Sequence, residues 1–201
     1  MIYITRHGQT DWNTADKIQG QTDILLNNFG REQARLLSSQ IQTLNIKQIM
    51  TSDLNRAQET AQLLNNHIQV PIIPDRRLRE INFGDLEGQP VSSVTPEIWD
   101  VLSRSSNTFH AESLPEAYQR IHSFFSELNP KENTLIVTHA GLLKVISFYI
   151  KYPHRFNYPL FKSDFLYVSM PNTTIFRRVK KHNRALLEQL SFYPSRAYHK
   201  D

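Results

Sequence analysis

An α/β fold, a three-layer sandwich with a mostly parallel central sheet between two layers of helices, is predicted by three features of this sequence. Short apolar, β-rich runs recur at Ile2 to Thr5, Gln48 to Thr51, Val70 to Ile73, Thr134 to Thr138 and Leu166 to Met170. Longer segments with helical spacing of their apolar residues separate these runs. No repeat, low-complexity tract or composition break marks a linker, and 201 residues, 39% of them hydrophobic, suffice for one core. The expectation is a single domain over residues 1–201. Strands that alternate with helices pair in parallel, because each helix carries the chain back across a face of the sheet.

Each element has its own signal. The first run, Ile2-Tyr3-Ile4-Thr5, opens the chain and leads into Arg6-His7-Gly8. Gly30 to Leu44 places Ala34, Leu37 and Ile41 on one helical face, and Asp53 to His67 does the same with Ala57, Thr60, Ala61 and Leu64. Ser52 and Asp53 offer the second of these helices an N-cap and a first-turn acid, and Pro71 with Pro74 ends it. Further helices are expected over Leu114 to Leu128 and Gly141 to Ile150. Near the end, Thr174 to Lys180 and Ala185 to Leu190 read as a hairpin turning at His182-Asn183, although the last piece has a helical composition.

Composition excludes several functional classes. No stretch approaches the roughly 20 apolar residues of a membrane-spanning helix, and only Met1 to Ile4 precede the first charge without a polar break long enough to matter, so neither a membrane span nor a secretory signal is expected. The absence of cysteine excludes disulfides, thiolate-held metals and a cysteine nucleophile, and points to a cytoplasmic protein. A formal charge of +4 permits acidic ligands but falls short of a nucleic-acid-binding composition. Arg177, Arg178, Lys180, Lys181 and Arg184 are basic enough to suggest nucleic acid, yet charges on an edge hairpin also prevent strand-to-strand association. No nucleic-acid partner is expected.

The chemistry concentrates at strand ends, where open α/β sheets collect their ligands. Two runs each deliver a histidine: Thr5 leads to Arg6-His7-Gly8, and Thr138 leads to His139-Ala140-Gly141. A nearby glycine lets backbone amides approach an anion closely. After the second run, Arg56 falls in the first turn of a helix, where its charge opposes the helix dipole unless an anion sits at the same end. The ordinary alternative is a surface contact from Arg56 to Glu59 or Thr60. The connecting segment Leu78 to Gly88 adds Glu80 and Glu87, one suited to catalysis and the other to capping or pairing.

These residues together resemble the histidine phosphatase superfamily that includes the cofactor-dependent phosphoglycerate mutases. Arg6-His7-Gly8-Gln9-Thr10 looks like its signature, continued by Asn13, Gln19-Gly20, Asp23, Leu26, Gly30 and Gln33-Ala34. Ser52-Asp53-Leu54 with Arg56-Ala57 and Thr60-Ala61, Glu80 with Phe83-Gly84 and Glu87-Gly88, Glu112-Ser113, and Val137-Thr138-His139-Ala140-Gly141 follow in the family's order. The likeness spans Ile2 to about Ile150 and then fades. It implies a phosphoglycerate mutase-like fold and catalysis by His7, Arg6, Arg56, Glu80 and His139. His7 would attack phosphorus to give a phosphohistidine, while Arg6, Arg56 and a protonated His139 surround the phosphoryl oxygens. Asn13 and Gln19 would add neutral donors, with Gly8, Thr10, Gly20 and Gly141 completing the substrate site. Glu80, entering protonated, would give its proton to the leaving oxygen and then activate water; Glu87 would be structural. The scheme calls for no metal and no cofactor.

Two positions depart from the family's commonest pattern: Gln9 where glutamate is frequent, and Ala111 where glycine is frequent before Glu112-Ser113; Ala140 stands where the family's acid phosphatase and phytase branch resembles His-Asp, which implies that the acid is Glu80. The mutases resemble longer chains with a basic insertion, whereas Gly88 to Ala111 holds Arg104 as its one Lys or Arg. The expected activity is therefore a phosphatase of small phosphorylated metabolites, with a mutase as the alternative and a catalytically inactive binding relative behind it. Trp99, Phe109, Phe156, Tyr158 and Phe161 are aromatics that suit a substrate pocket less well than a core.

Overall fold

A computed structural model describes residues 1–104, 108–129, 131–154, 156–166, 169–181 and 184–190. Among the described residues six strands build one sheet: β1 (Ile2–Arg6), β2 (Gln48–Thr51), β3 (Ile72–Pro74), β4 (Thr134–Thr138), β5 (Ile175–Lys181) and β6 (Arg184–Gln189). The helices are α1 (Asp11–Thr14), α2 (Asn28–Gln40), α3 (Asn55–Leu64), α4 (Pro96–Leu102), α5 (Leu114–Glu127), α6 (Ala140–Lys151) and α7 (Tyr158–Phe161). In the sheet the order is β3-β2-β4-β1-β5-β6, with β3, β2, β4 and β1 parallel and the β5-β6 hairpin antiparallel at one edge. The predicted α/β sandwich is the fold observed. No helix among the described residues is long and apolar enough to cross a membrane.

The two faces of the sheet bury separate cores. On one, Leu37 and Ile41 meet Ala57, Ala61 and Leu64 of α3 over Tyr3, Ile49, Leu135 and Val137. On the other, α5 and α6 pack Ile121, Phe124, Val145 and Ile146 against Ile2, Ile4 and Ile136. Every residue of β4 is buried, as a central parallel strand covered on both faces must be. The helix after β1 and the helix after β4 thus lie on opposite faces of two neighbouring strands. Their carboxyl ends are therefore the switch point at which sheets of this kind bind ligands in a crevice.

Local chemistry moves several element boundaries away from the sequence pattern. The α2 helix starts at Asn28, ahead of Gly30, because the Asn27 side chain accepts from the Gly30 amide at 2.8 Å. The α3 helix starts at Asn55, with Leu54 at the cap position and Ser52 and Asp53 outside it. Asp53 is drawn instead into a two-pronged pair with Arg79 at 2.6 and 2.7 Å, and Asp23 takes the Asn55 amide at 2.8 Å. The strand expected from Val70 begins at Ile72, since the Asn65 side chain occupies both the N–H and the C=O of Val70.

The strand expected over Leu166 to Met170 is not formed by the residues described there. Leu166 closes a π-type turn that follows α7, Ser169 and Met170 lie outside regular structure, and Tyr167 and Val168 lie outside the described residues. The free edge of β1 is occupied by β5, and the Met170 carbonyl is taken by the Arg6 side chain. The terminal hairpin is present, with Lys181 opposite Arg184; its turn at 182–183 lies outside the described residues. Arg177 pairs across it with Glu188 at 3.0 Å. The aromatics Trp99, Phe109, Phe156, Tyr158 and Phe161 all pack on the α5-α6 core.

Candidate active site

His7 follows β1 directly and His139 follows β4, so the register that pairs Arg6 with Thr138 sets the two imidazoles side by side. Their ring centroids are 5.1 Å apart, tilted by 57°. The His7 amide donates to the Thr138 carbonyl at 2.9 Å, which locks the two strand exits together. Both rings are buried.

Hydrogen bonds select the tautomers. His7 Nδ1 lies 2.6 Å from the Gly8 carbonyl oxygen, which can only accept, so Nδ1 carries the proton and Nε2 keeps its lone pair. For His139 the pattern reverses: Nδ1 accepts from Arg56 Nε at 3.2 Å, leaving the proton on Nε2, a buried atom without a protein partner. Burial, reinforced by the positive charges of Arg56 and Arg6, holds His7 well below the ordinary imidazole range. Burial and Arg56 do the same to His139. The protonated His139 expected from the sequence is therefore neutral in the free site, because Arg56 donates to the nitrogen that an imidazolium would have to protonate.

Arg56 is fully buried in the first turn of α3, with none of the surface contact to Glu59 that was its ordinary alternative. Glu59 pairs with Arg31 at 2.6 Å instead, and Thr60 donates to the Arg56 carbonyl. The Arg56 guanidinium donates to the carbonyls of Thr22 at 2.8 Å and Gly20 at 2.6 Å. The anion at this helix end is supplied by the protein, the carboxylate of Asp23. Desolvation lowers Arg56 to about 10, opposed by Glu80, Asp23 and Glu87, and it remains a cation at neutral pH. Arg6 is lowered likewise to about 10 by burial. Its Nη1 is anchored on the Met170 carbonyl at 2.9 Å, and its buried Nε has no protein partner.

Glu80 reaches the crevice from an irregular segment between β3 and α4. Its Oε1 accepts from the amides of Ile81 at 2.9 Å and Leu142 at 2.8 Å, and its Oε2 accepts from Gly141 at 2.9 Å. Two of these donors are first-turn amides of α6, otherwise unpaired at a helix start, and a carboxylate there also complements the helix dipole. His139, at the cap position, and Glu80, on the first-turn amides, are thus tied to one helix N-terminus.

The remaining residues named from the sequence divide by task. Thr10 and Asn13 cap α1 reciprocally, which spends the Asn13 carbonyl oxygen and leaves its amide nitrogen without a protein acceptor among the described residues. Gln19 is buried with an unpartnered Oε1. The Gly8 amide is taken by Thr60 Oγ1 at 3.0 Å, and a Cβ at Gly8 would stand 2.4 Å from the Gly30 carbonyl oxygen. Its smallness therefore serves the close approach of α2. Gly20, at φ +52°, turns its carbonyl to Arg56 while its missing side chain makes room for Glu87. Glu87 accepts from the amides of Gln21, Thr22 and Phe83 and from the Thr22 hydroxyl, so it shapes the loop that holds Arg56. Gln9 turns its side-chain oxygen to Asn27 and Thr14, a task for an acceptor whether or not it carries charge.

Sequence reasoning passed over three contributors. Asp23 was quoted in the motif without its capping task, Thr22 supplies a carbonyl through its backbone and so leaves no mark in residue type, and Arg120 belongs to no motif. A helical Arg eight residues after Glu112 is the one available signal for the last.

A family profile described as Histidine phosphatase superfamily (branch 1) matches residues 2–164. A probable phosphoglycerate mutase GpmB of Yersinia pestis (strain Pestoides F) is 35% identical over 151 residues, spanning 71% of this chain and 70% of that protein. Among solved structures, mycobacterial glucosyl-3-phosphoglycerate phosphatase with VO3 is 26% identical at a TM-score of 0.77, over 94% of this chain and 96% of that one. A mutant phosphoserine phosphatase of Entamoeba histolytica in complex with phosphoserine is 25% identical at a TM-score of 0.73, over 92% and 93% of the two chains.

Proposed function

Because this chain belongs to the histidine phosphatase superfamily (branch 1), we propose that it is a phosphatase that hydrolyses phosphate monoesters of small metabolites through a phosphohistidine. The observation that carries this reading is the tautomer of His7, whose unprotonated Nε2 needs no general base to become a nucleophile. Nε2 bonds to phosphorus as the ester oxygen departs in line on the far side. Arg6 and Arg56, with the Nε2–H of His139, receive the charge that gathers on the phosphoryl oxygens. Asn13 and Gln19 add neutral contacts to the same group.

In this reading Glu80, a carboxylate held by three amides in the free site, takes a proton from the incoming phosphate monoanion and gives it to the leaving oxygen. Its Oε2, with one hydrogen bond against two on Oε1, is the oxygen with room to carry that proton. The resulting carboxylate then takes a proton from water, the hydroxyl attacks phosphorus, and the phosphorus–nitrogen bond breaks to release inorganic phosphate. Each cycle returns His7 and Glu80 to their starting forms. One domain carries all of these residues, and a chain without cysteine suits the cytoplasm.

A mutase is the second reading, favoured by the probable phosphoglycerate mutase among the relatives. Against it, the stretch from Gly88 to Ala111 offers only Arg104 as a Lys or Arg, and that side chain is exposed. Nothing basic there is placed to hold a second anionic group while an acceptor replaces water. A panel of phosphomonoesters, with phosphohistidine trapped under alkaline quench, tests both readings. Stoichiometric label on His7 with net phosphate release supports the phosphatase, and its loss in His7→Ala ties the label to that residue. Interconversion of phosphoglycerates without release would replace the phosphatase by the mutase.

A further inference from the structure

Glu80 sits in a stretch with no ladder or helix of its own, yet proton transfer to a leaving oxygen demands placement within a fraction of an ångström. The three amides on its carboxyl fix the tip of the side chain. What fixes the backbone is Arg120, on α5 and 40 residues further along the chain. Its Nη1 donates to the carbonyls of Arg77 at 2.6 Å and Arg79 at 2.8 Å, and its Nη2 to the carbonyl of Glu80 at 3.1 Å. Glu112 completes the set, with Oε1 2.5 Å from Nε and Oε2 2.9 Å from Nη2. All five N–H donors of the guanidinium are thereby used. Glu112 also accepts from the Asn82 amide at 3.3 Å, and its own amide donates to the Asn82 carbonyl at 2.8 Å. The pair therefore grips residues 77, 79, 80 and 82 and bonds to neither the Glu80 carboxyl nor His7, Arg6, Arg56 or His139.

We infer that Arg120 and Glu112 are positioning residues that set Glu80 for proton transfer, an inference that rests on the reading of Glu80 as the acid. The ion pair is part-buried, with side-chain exposures of 17% and 15%, and such a pair by itself contributes little net stability, so fold stability alone accounts poorly for its presence. Its geometry is a planar fork reading the carbonyls of residues 77, 79 and 80, which an ammonium cannot reproduce.

The experiment uses leaving-group dependence. An alkyl phosphate needs its leaving oxygen protonated, whereas 2,4-dinitrophenyl phosphate does not. Single-turnover formation of phosphohistidine is measured with both esters in the parent, Arg120→Lys, Glu112→Gln and Glu80→Gln, together with competitive inhibition by vanadate and thermal unfolding. Arg120→Lys is expected to slow phosphorylation by the alkyl ester by about tenfold or more while changing the dinitrophenyl rate and vanadate affinity by less than about threefold. Glu112→Gln reports on the same clamp and decides the matter should Arg120→Lys fail to fold. In a Glu80→Gln background the Arg120 substitution should add almost nothing, because the two act through one proton. Equal slowing of both esters, full additivity, or no slowing at all would overturn the inference. If Glu80→Gln itself slows both esters alike, the assignment of the acid has failed; if it discriminates and the clamp variants do not, only the clamp has failed.

Discussion

Gly141→Ala separates the placement of Glu80 from the stability of the fold. Gly141 is the second residue of α6, in ordinary helical backbone, and its amide is one of the three donors to Glu80. A Cβ built there would lie 2.7 Å from Glu80 Oε1 and 3.2 Å from Glu80 Cδ and Ile81 Cδ1. To reach ordinary contact at 3.4 Å the carboxyl oxygen must move about 0.7 Å. The atom in the way is the far end of a rotatable side chain, so the displacement falls on Glu80 and leaves the helix in place. A misplacement of 1 Å costs about a hundredfold in rate, which puts this one at roughly ten- to fiftyfold. Alanine in place of glycine also favours the helix by up to about 1 kcal/mol, which offsets the strain of the contact. The expected variant is thus slow toward alkyl phosphates and as stable as the parent. Steady-state kcat with an alkyl phosphate and a urea melt on the same preparation decide the point. Unchanged kcat, or a loss of stability exceeding 2 kcal/mol on the order of a core lesion, would show that Glu80 is not held as described.

Three other perturbations follow from the same contacts. Gly8→Ala brings its Cβ within 2.4 Å of the Gly30 backbone oxygen, which cannot swing aside, so a loss of roughly 2 kcal/mol or more is expected in chemical denaturation, the reverse of Gly141→Ala. Glu87→Ala removes the acceptor for Gln21, Thr22 and Phe83, and should lower vanadate affinity as the loop carrying the Gly20 and Thr22 carbonyls releases Arg56; isothermal titration reads it, and unchanged affinity would sever Glu87 from Arg56. The buried neutral His7 and His139 bind protons less readily folded than unfolded, so stability is full above about pH 6.5 and falls below it by about 1.4 kcal/mol per pH unit for each ring until the depressed folded values are reached. Urea melts from pH 7 to 5 should show that slope, and His139→Asn should reduce it; a slope indifferent to both histidines would refute their neutrality.

What the sequence discloses and what it hides divide along contact range. Strands β2 and β4 end where their apolar runs end, at Thr51 and Thr138, because a buried parallel strand is written in contiguous residues. His7 and His139 were legible because each directly follows such a run, and adjacency of β1 and β4 does the rest. Helix α2 starts two residues early on a local cap, Asn27, whereas the start of α3 moves because distant partners replace local ones, Arg79 drawing off Asp53 and Asp23 taking the Asn55 amide. The charge state of His139 was hidden for the same reason, since it depends on Arg56 Nε arriving from 83 residues away. Arg120 was invisible because its partners are mostly backbone carbonyls, which every residue type provides.

The electrostatics of the crevice explain why its two histidines can be neutral and still useful. An imidazole buried beside a carboxylate is pushed toward its cationic form, in which it has no lone pair to offer a phosphorus atom. Here burial comes first in opposing the protonation of His7, and the positive charges of Arg56 and Arg6 add to it. Under the proposed function, the cations that would draw in a phosphate anion thus join burial in keeping the His7 Nε2 lone pair free. Burying Arg56 carries a large desolvation cost, met by the Gly20 and Thr22 carbonyls, whose loop is in turn held by Glu87. His7, His139, Arg56 and the loop are one connected device: loosening Glu87 weakens the seat of Arg56, and removing Arg56 takes both a hydrogen bond and a positive charge away from His139 Nδ1.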